Sequence, residues 1–314
     1  MDKMFCYQCE QTANSKGCTV AGVCGKSAET ANLQDELISK IIEFANCAEF
    51  SEGNICLIIE ALFATITNVN FDNNSLKSLS EKISQKTQCC NDFDIKSVWE
   101  CNEDIRSLKS LILFGLKGIA AYAYHAKVLG YKDETVDRFF FEALQDISKD
   151  LSIDELLSLV LKTGEINLKC MELLDKANTE TYGNPVSINV TNKIETGPFI
   201  VVTGHDLHDL ALLLEQAKDK GINIYTHGEM LPAHAYPELK KYSHLKGNFG
   251  TAWQNQQNEF DYLPAPILFT TNCIMPPKES YADRVLQPQL SDILKLNILE
   301  KIKILHLLLK RQWS

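Results

Sequence analysis

Proline placement divides this chain of 314 residues into two parts of different character. None of its nine prolines precedes Pro185, so 1–184 is free of proline. Because proline removes a helix hydrogen bond and clashes with the preceding turn, a proline-free stretch of this length favours long helices. Apolar residues at helical spacing support that interpretation. The helices predicted on this basis span 29–50, 54–69, 105–129, 133–148 and about 152–176.

The sequence at the start of the last of these helices has an N-capping pattern. Ser152 is followed three positions later by Glu155, the pattern of a capping box. We therefore predict that 1–184 forms a helical bundle behind a cysteine-rich head.

The pattern changes after Pro185. Short apolar runs predict strands at 199–203, 222–226 and 266–271, with a helix over 206–218 between the first two. Strand–helix–strand alternation is typical of a parallel sheet. The predicted fold class is therefore α + α/β, with an incomplete Rossmann-like domain over 185–284. The last segment, 285–314, is rich in Leu and Ile, and we expect it to be an aberrant apolar helical tail.

Composition narrows the class of protein. Lys and Arg number 31 against 41 Asp and Glu, a net charge of −10, which argues against nucleic acid or an anionic membrane as the main partner. No signal peptide or membrane-spanning run is visible, so a cytoplasmic location is expected. The eleven cysteines then favour metal binding, redox chemistry or packing over disulfides.

Four of these cysteines form a compact motif near the N-terminus. The spacing Cys6-x2-Cys9-x8-Cys18-x5-Cys24 includes small residues that would let the backbone approach inorganic sulfide. Four thiolates suit an iron–sulfur cluster or a tetrahedral zinc ion. Zinc sites more often use two closely spaced pairs, so the spacing favours a cluster.

The other cysteines carry weaker signals. Cys47, Cys56, Cys101 and Cys170 lie on predicted helices, where we expect small buried residues. The vicinal pair Cys89–Cys90 is assigned no role, since adjacent cysteines rarely form a relaxed disulfide.

A second constellation follows the predicted strands. His205, Glu229 and Cys273 each come after a strand end, where parallel sheets gather ligands. An imidazole, a carboxylate and a thiolate together would suit an iron centre with oxygen and sulfur ligands. A single histidine or cysteine at a strand end is more often structural, so spacing alone gives a weak prediction.

Longer blocks of sequence carry a family resemblance. Those near the N-terminus are CYQCEQT at 6–12, GCT at 17–19, CGK at 24–26 and TANLQD at 30–35. Those of the second part are GHDL at 204–207, YTHGEMLPAH at 225–234, GTAWQN at 250–255 and TTNC at 270–273. Together they resemble the hybrid-cluster protein (hydroxylamine reductase) family from about Met4 to Arg284.

The resemblance implies two metal centres. Cys6, Cys9, Cys18 and Cys24 would hold a [4Fe–4S] cubane, since members with a [2Fe–2S] cluster space the later cysteines more widely. His205, Glu229 and Cys273 would be three ligands of a hybrid [4Fe–2O–2S] cluster.

It also implies an activity. An unidentified electron-donor protein would feed the cubane, and hydroxylamine would be reduced to ammonia and water in anaerobic nitrogen metabolism. His227 and His234 are candidate proton donors, or alternatively structural histidines with satisfied hydrogen bonds.

The chain departs from the family in one respect. The family supplies three further cysteines and a glutamate from a later region, whereas this chain has no cysteine after Cys273. We expect a truncation or frameshift near Arg284–Val285, and a chain that assembles the cubane but little or no hybrid cluster. The alternatives are reduction of nitric oxide or another nitrogen oxide, an electron-transfer fragment without catalysis, and a zinc-binding structural domain.

Overall fold

The computed structural model describes residues 4–10, 16–87 and 92–286. It divides the chain into two compact units, 1–177 and 178–314. The division comes slightly before the boundary predicted after residue 184. The predicted α + α/β class is confirmed, with helices in the first unit and a parallel sheet in the second.

Helices dominate the first unit. They are α1 Ala28–Cys47, α2 Glu52–Ala64, α3 Asn73–Ser84, α4 Lys96–Trp99, α5 Glu103–Val128, α6 Glu134–Ile147 and α7 Ile153–Tyr182. Helix α1 packs on α3 and α6, and α2 packs on α5. The fully buried face of α1 includes Leu37, Ile41 and Phe44, which form part of the core.

Polar side chains begin most of these helices. Ser27 and Ser51 accept hydrogen bonds from the first turns of α1 and α2. The capping box predicted for α7 is confirmed: Ser152 N donates to Glu155 Oε2 at 2.8 Å, and Glu155 N donates to Ser152 Oγ at 3.4 Å.

Two helices of this unit were missed by the sequence prediction. Helix α3 does bury Leu76, Leu79 and Ile83 at helical spacing. Its other positions are mostly Asn, Ser, Lys and Glu, and the weak intrinsic preference of Asn and Ser for helix obscured the pattern. Helix α4 is only four residues long.

The second unit alternates strands and helices. Its elements are β1 Phe199–Thr203, α8 Leu207–Ala217, β2 Asn223–His227, a 3-10 helix Gly228–Ala235, α9 Pro237–Lys240, β3 Leu245–Asn248, a 3-10 helix Trp253–Asn255, α10 Gln256–Glu259, β4 Ile267–Phe269, α11 Glu279–Ala282 and β5 Val285–Leu286. The strands form one parallel sheet in the order β3-β2-β1-β4-β5.

This order has a functional consequence. The chain moves outward from β1 to β2 and β3, then returns to place β4 on the other side of β1. The point between β1 and β4 is therefore a topological switch point, where sheets of this kind bind ligands.

The sequence prediction found β1, β2 and β4 but not the two edge strands. Strand β3 reads Leu-Lys-Gly-Asn and has little apolar signal. Strand β5 consists of Val285 and Leu286, paired with Ile267 and Leu268. The first two residues of the predicted tail thus extend the sheet, and the rest of the tail lies outside the described residues.

The cysteine predictions outside the head had mixed outcomes. Cys170 is completely buried, as expected. Cys56 is exposed because it faces away from its buried neighbours on α2, and Cys101 is only partly buried. Cys47 is exposed at the end of α1 and takes part in a disulfide, so its prediction as a small buried thiol was wrong. The pair Cys89–Cys90 lies outside the described residues.

In the described part of the chain, every helix is too short or too polar to cross a membrane.

Candidate metal centres

The cysteine-rich head is held together partly by its own backbone. Cys6 N donates to the carbonyl oxygen of Cys18 at 3.1 Å, which places these two residues side by side. Cys18 is buried in a small cluster with Ala31 of α1. Cys9 and Cys24 are partly exposed. The motif therefore lies at the start of α1, with one thiol in the core and others nearer the surface.

Burial controls the chemistry of the Cys6 thiol. It raises the pKa of Cys6 to about 11, while a hydrogen bond from the Gln8 backbone and the charge of Lys26 act in the opposite direction. A thiol must lose its proton to bind a metal. In the metal-free head Cys6 is therefore protonated at neutral pH, and metal binding there would release a proton.

Two of the head thiols line a cavity. Cys6 and Cys9 border a space of about 330 Å³, together with the cationic residues Lys16 and Arg106 and the ring of Trp99. The carboxylate of Glu10 also lines this space, so the lining combines two thiols and two cations with one anion, and its net positive charge suits a metal centre that carries negative charge. A cubane held by four thiolates is such a centre.

A glycine lets the chain fold tightly around the fourth cysteine. A Cβ atom on Gly22 would lie 3.1 Å from Cys24 Sγ and 3.1 Å from Lys26 Cβ. Gly25 has a φ of 94° and donates to the Gly22 carbonyl at 2.9 Å. The small residues of the motif thus create room next to the Cys24 thiol.

The described residues contain no group of three or more His, Cys, Asp or Glu arranged to hold one metal ion. The thiolates of a cubane bind four different irons, so they lie farther apart than the ligands of a single ion. The residues around the head fit an anionic iron–sulfur cluster by their donor chemistry and by the buried cations described next.

Two buried lysines lie beneath the head. Lys26 is 1% exposed and donates from Nζ to Gln34 Oε1 at 2.5 Å. Lys117 is 4% exposed and donates to the side-chain and main-chain oxygens of Gln8. Gln8 in turn donates to Asp35, which is also buried. The network contains two ammonium groups and one carboxylate, which leaves one positive charge without a buried counterion.

The pKa values of Asp35 and Lys117 show that burial disfavours the charged forms of both groups. Burial raises the pKa of Asp35 to about 6, against the hydrogen bonds from Gln8 and from Tyr7 N and the charge of Lys117. Burial and the nearby charge of Lys26 lower the pKa of Lys117 to about 7, against the attraction of Asp35. An anionic group in the head would stabilise the charged form of Lys117.

In the metal-free chain, Asp35 and Lys117 together should contribute a minimum to the free energy of unfolding between about pH 6 and pH 7. Asp35 binds its proton more tightly in the folded chain, so stability falls as pH rises from 3.8 towards about 6. Lys117 loses its proton more easily in the folded chain, so stability rises with pH from about 7 towards 10.5. Each change is a few kcal/mol, and urea unfolding at about pH 5, 6.5 and 9 measures it.

The variant Lys117→Met separates this effect from all other titrations. The difference in unfolding free energy between the native chain and Lys117→Met should shift in favour of the native chain as pH rises above 7. A difference that stays constant across this range would contradict the assignment.

Sequence analysis had singled out the four cysteines but not Lys117. One signal was available, because Lys117 interrupts the apolar stretch of α5 that includes Leu113, Leu116 and Ile119. A lysine on the buried face of a helix needs a partner. The identity of that partner could not be read from the sequence, since Gln8 lies 109 positions away.

The second set of predicted ligands lies at one edge of the sheet. Thr203, His227 and Phe269 end β1, β2 and β4 in register. His205, Glu229 and Cys273 follow these three strand ends in that order. His205 and Cys273 thus follow the two strands that flank the switch point, and Glu229 follows the neighbouring strand. That these residues act as metal ligands stays a prediction.

Contacts link the loops that carry these residues. His205 N donates to the Thr271 carbonyl at 2.7 Å, which joins the loops after β1 and β4. Burial raises the pKa of Cys273 to about 11, and the negative charge of Glu229 adds to the rise. Glu229 is therefore close enough to Cys273 to affect its charge. The His205 and Glu229 side chains are exposed, and Cys273 is partly buried.

The loop that carries Cys273 has an unusual backbone. Asn272 and Cys273 have φ values of 60° and 52°, so two consecutive non-glycine residues adopt the left-handed region. Such conformations cost free energy and persist only where surrounding contacts enforce them, and they often occur at functional sites.

Gly204 allows the loop after β1 to approach the loop after β4. Its φ is 109°, and a Cβ there would lie 2.2 Å from Thr270 Oγ1 and 2.6 Å from the Thr271 carbonyl oxygen. We expect Gly204→Ala to lower the free energy of unfolding by about 3 kcal/mol or more, because backbone would have to move. Urea unfolding of the chain measures this loss.

Gly221→Ala is the matched control for that substitution. Gly221 also has a positive φ, 69°, but a Cβ there meets nothing within 4 Å. Gly221→Ala should lower the free energy of unfolding by only about 1 kcal/mol. Equal losses in the two variants would contradict the close approach at Gly204.

The two candidate proton donors are engaged inside the fold. His227 is fully buried; its Nδ1 lies 3.1 Å from Thr203 Oγ1, and its Nε2 lies 2.7 Å from Glu259 Oε2. His234 Nε2 lies 2.9 Å from Thr226 Oγ1. Burial lowers the pKa of both histidines. These contacts favour the alternative that both are structural.

Known proteins share much of this sequence. Residues 4–294 match the Prismane/CO dehydrogenase family. The chain is 47% identical to a hydroxylamine reductase of Thermodesulfovibrio yellowstonii, with 90% of this chain and 59% of that protein covered.

Two further relatives give similar values. A hydroxylamine reductase of Methanocella arvoryzae is 45% identical, with 88% of this chain and 59% of that protein covered. One of Methanocaldococcus jannaschii is 45% identical, with 90% and 58% covered. The chain thus spans about three fifths of the length of these curated relatives.

Proposed function

The chain belongs to the prismane/CO dehydrogenase family, and we propose that it is part of an iron–sulfur oxidoreductase that reduces hydroxylamine. In that reaction the N–O bond breaks, and two electrons and two protons convert hydroxylamine to ammonia and water. The relatives that carry the name hydroxylamine reductase support this substrate. The observation that carries the proposal is the register of three strands: β1, β2 and β4 end side by side at the switch point, and His205, Glu229 and Cys273 follow these strand ends.

The proposal assigns Cys6, Cys9, Cys18 and Cys24 to a [4Fe–4S] cluster. It assigns His205, Glu229 and Cys273 to part of a second, hybrid cluster. When bound, iron–sulfur clusters supply single electrons and open iron positions for a nitrogen or oxygen ligand. The chain's own residues hold these groups, compensate their charge and orient the ligands.

Charge compensation in the head supports an electron-transfer role. Lys26 and Lys117 are buried beside the cysteine motif and together exceed the charge of Asp35. Positive charge favours the more negative, reduced state of a nearby cluster. The head is thus suited to accept electrons from an external donor protein.

Proton supply does not require His227 or His234. Both rings are hydrogen-bonded within the fold, and burial disfavours their protonated forms. Solvent reaches the exposed His205 and Glu229 side chains, so water can deliver protons to this edge.

A second candidate function is electron transfer without catalysis. Among the described residues of the second unit, Cys273 supplies the thiol of the proposed second site. A site with one thiol and the exposed side chains of His205 and Glu229 offers too few ligands to bind a cluster of several irons tightly. Nitric oxide is the alternative substrate within the same class of enzyme.

The test begins with anaerobic reconstitution of the chain with ferrous iron and sulfide. The loaded chain is reduced with a viologen dye and then mixed with hydroxylamine, or in a separate arm with nitric oxide. Dye oxidation with ammonia formation would support hydroxylamine reduction. A head that takes up electrons and then returns none to either substrate would support the second function. A chain that binds no redox-active iron would contradict both.

A further inference from the structure

The left-handed loop at Cys273 is held by one buried side chain. Gln256 begins α10 and is completely buried. Its Nε2 donates to the carbonyl oxygen of Cys273 at 2.7 Å. Its Oε1 accepts from Met275 N at 2.9 Å. One amide therefore contacts the backbone on both sides of the turn that presents the thiol.

The orientation of this amide follows from its partners. Met275 N can only donate and the Cys273 carbonyl can only accept, so the oxygen of Gln256 faces the first and the nitrogen faces the second. The second N–H of Nε2 donates to Thr203 Oγ1 at 3.1 Å. Both donors and the acceptor of this buried side chain are thus used.

The same argument extends the network through the sheet. Because Thr203 Oγ1 accepts from Gln256, its own proton is available for His227 Nδ1 at 3.1 Å. We then assign the ring proton of His227 to Nε2, which donates to Glu259 Oε2 at 2.7 Å. Thr251 donates to the same carboxylate from its backbone N at 3.1 Å. The chain of hydrogen bonds runs from Glu259 through the ends of β2 and β1 to Cys273.

We propose that Gln256 is a positioning residue that fixes the Cys273 loop in its left-handed conformation and so aims the thiol at the switch point. His227, Thr203 and Glu259 fix Gln256 in turn. The part of this inference that concerns a metal ligand rests on the proposed function. The positioning itself concerns the chain alone.

The Cys273 loop needs the hydrogen bonds of Gln256 for an energetic reason. Two consecutive residues in the left-handed region cost free energy that the loop cannot recover by itself. Hydrogen bonds from a buried amide are costly to break, because the groups left behind lose their partners away from water. The loop is thereby held in one conformation before any ligand binds, which is what a metal ligand needs.

The test measures how fast the Cys273 thiol reacts in the metal-free, reduced chain. A disulfide reagent such as dithiodipyridine labels the thiols, and mass spectrometry follows Cys273 and, as an internal reference, Cys101 in the first unit. Gln256→Met keeps the length of the side chain and removes its hydrogen bonds. We expect it to raise the labelling rate of Cys273 relative to Cys101 by about tenfold or more.

Gln254→Met is the matched control. Gln254 is exposed and precedes α10 in the same segment, so the ratio of the two rates should stay within about twofold of the native value. Circular dichroism verifies that each variant is folded.

Gln256→Glu keeps the test decisive if Gln256→Met does not fold. It retains an acceptor for Met275 N but places a carboxylate against the Cys273 carbonyl. Its labelling ratio should exceed that of the native chain at alkaline pH and return towards it at acidic pH, where the carboxyl group regains a donor. A change of volume alone would not produce this pH dependence.

A native ratio in Gln256→Met, or a ratio in Gln256→Glu that differs from the native ratio by the same factor at acidic and alkaline pH, would overturn the proposal. The labelling uses metal-free chain, so this failure is distinct from a failure of the proposed function. The latter would appear in the reconstitution experiment, as a chain that holds no redox-active iron.

Discussion

Replacing any one head cysteine by serine is expected to lower the iron content of the anaerobically reconstituted chain by about four ions, the content of the head cluster. Serine is a harder and more basic ligand than a thiolate, and cluster assembly is cooperative, so the loss of one of Cys6, Cys9, Cys18 or Cys24 should affect the whole cluster. Iron and acid-labile sulfide are measured on the same sample.

Cys56→Ser is the matched control for these variants. Cys56 is exposed on α2 within the same unit, and its substitution should leave the iron content unchanged. Native iron content in a variant of Cys6 or Cys24 would remove that residue from the ligand set. An equal loss in Cys56→Ser would show that the assay reports general damage.

Lys117→Met is expected to have opposite effects on the empty and the loaded head. Without a cluster, the variant no longer buries a poorly compensated ammonium group, so its free energy of unfolding at neutral pH should rise. With a cluster, loss of the positive charge destabilises the reduced state. The reduction potential should fall by several tens of millivolts, because a nearby charge contributes about 1–3 kcal/mol at an effective dielectric constant of about 20.

The potential is measured by redox titration followed by electron paramagnetic resonance. Lys109→Met is the control on the same helix, since its ammonium group donates to the Lys149 carbonyl and is partly exposed. That variant should shift the potential by no more than about 10 mV. A potential that rises or stays the same in Lys117→Met would contradict the role of Lys117 as a counter-charge.

The large divisions of the fold could be predicted from local sequence. Absence of proline before Pro185 indicated helices, and the apolar run at 199–203 coincides with β1. These signals arise from backbone constraints and burial, which act on neighbouring residues. Strand β3, with a lysine, a glycine and an asparagine among its four residues, is stabilised by its place beside β2 and gave no such signal.

The predicted ligands at the sheet edge depended on a topological rule. Given parallel strands, residues that follow them meet at one edge, and the register of Thr203 with His227 and Phe269 confirms that the strand ends do so. Which residues act as ligands stays a prediction.

The supporting residues could not be predicted in the same way. Gln8 and Lys117 are 109 positions apart, and Gln256 reaches Thr203 over 53 positions. Their roles depend on packing that brings distant segments together. No local pattern distinguishes the buried Gln256 from the exposed Gln254 two positions earlier.

The central claim is that four thiolates of the head hold one iron–sulfur cubane. The most direct test is the amount of iron and acid-labile sulfide bound per reconstituted chain, combined with the paramagnetic signal after reduction by one electron. We predict that the head accounts for about four irons and about four sulfides, apart from any iron at the proposed second site, with the signal of a reduced cubane. A colourless chain that binds one zinc ion and no sulfide would contradict the claim.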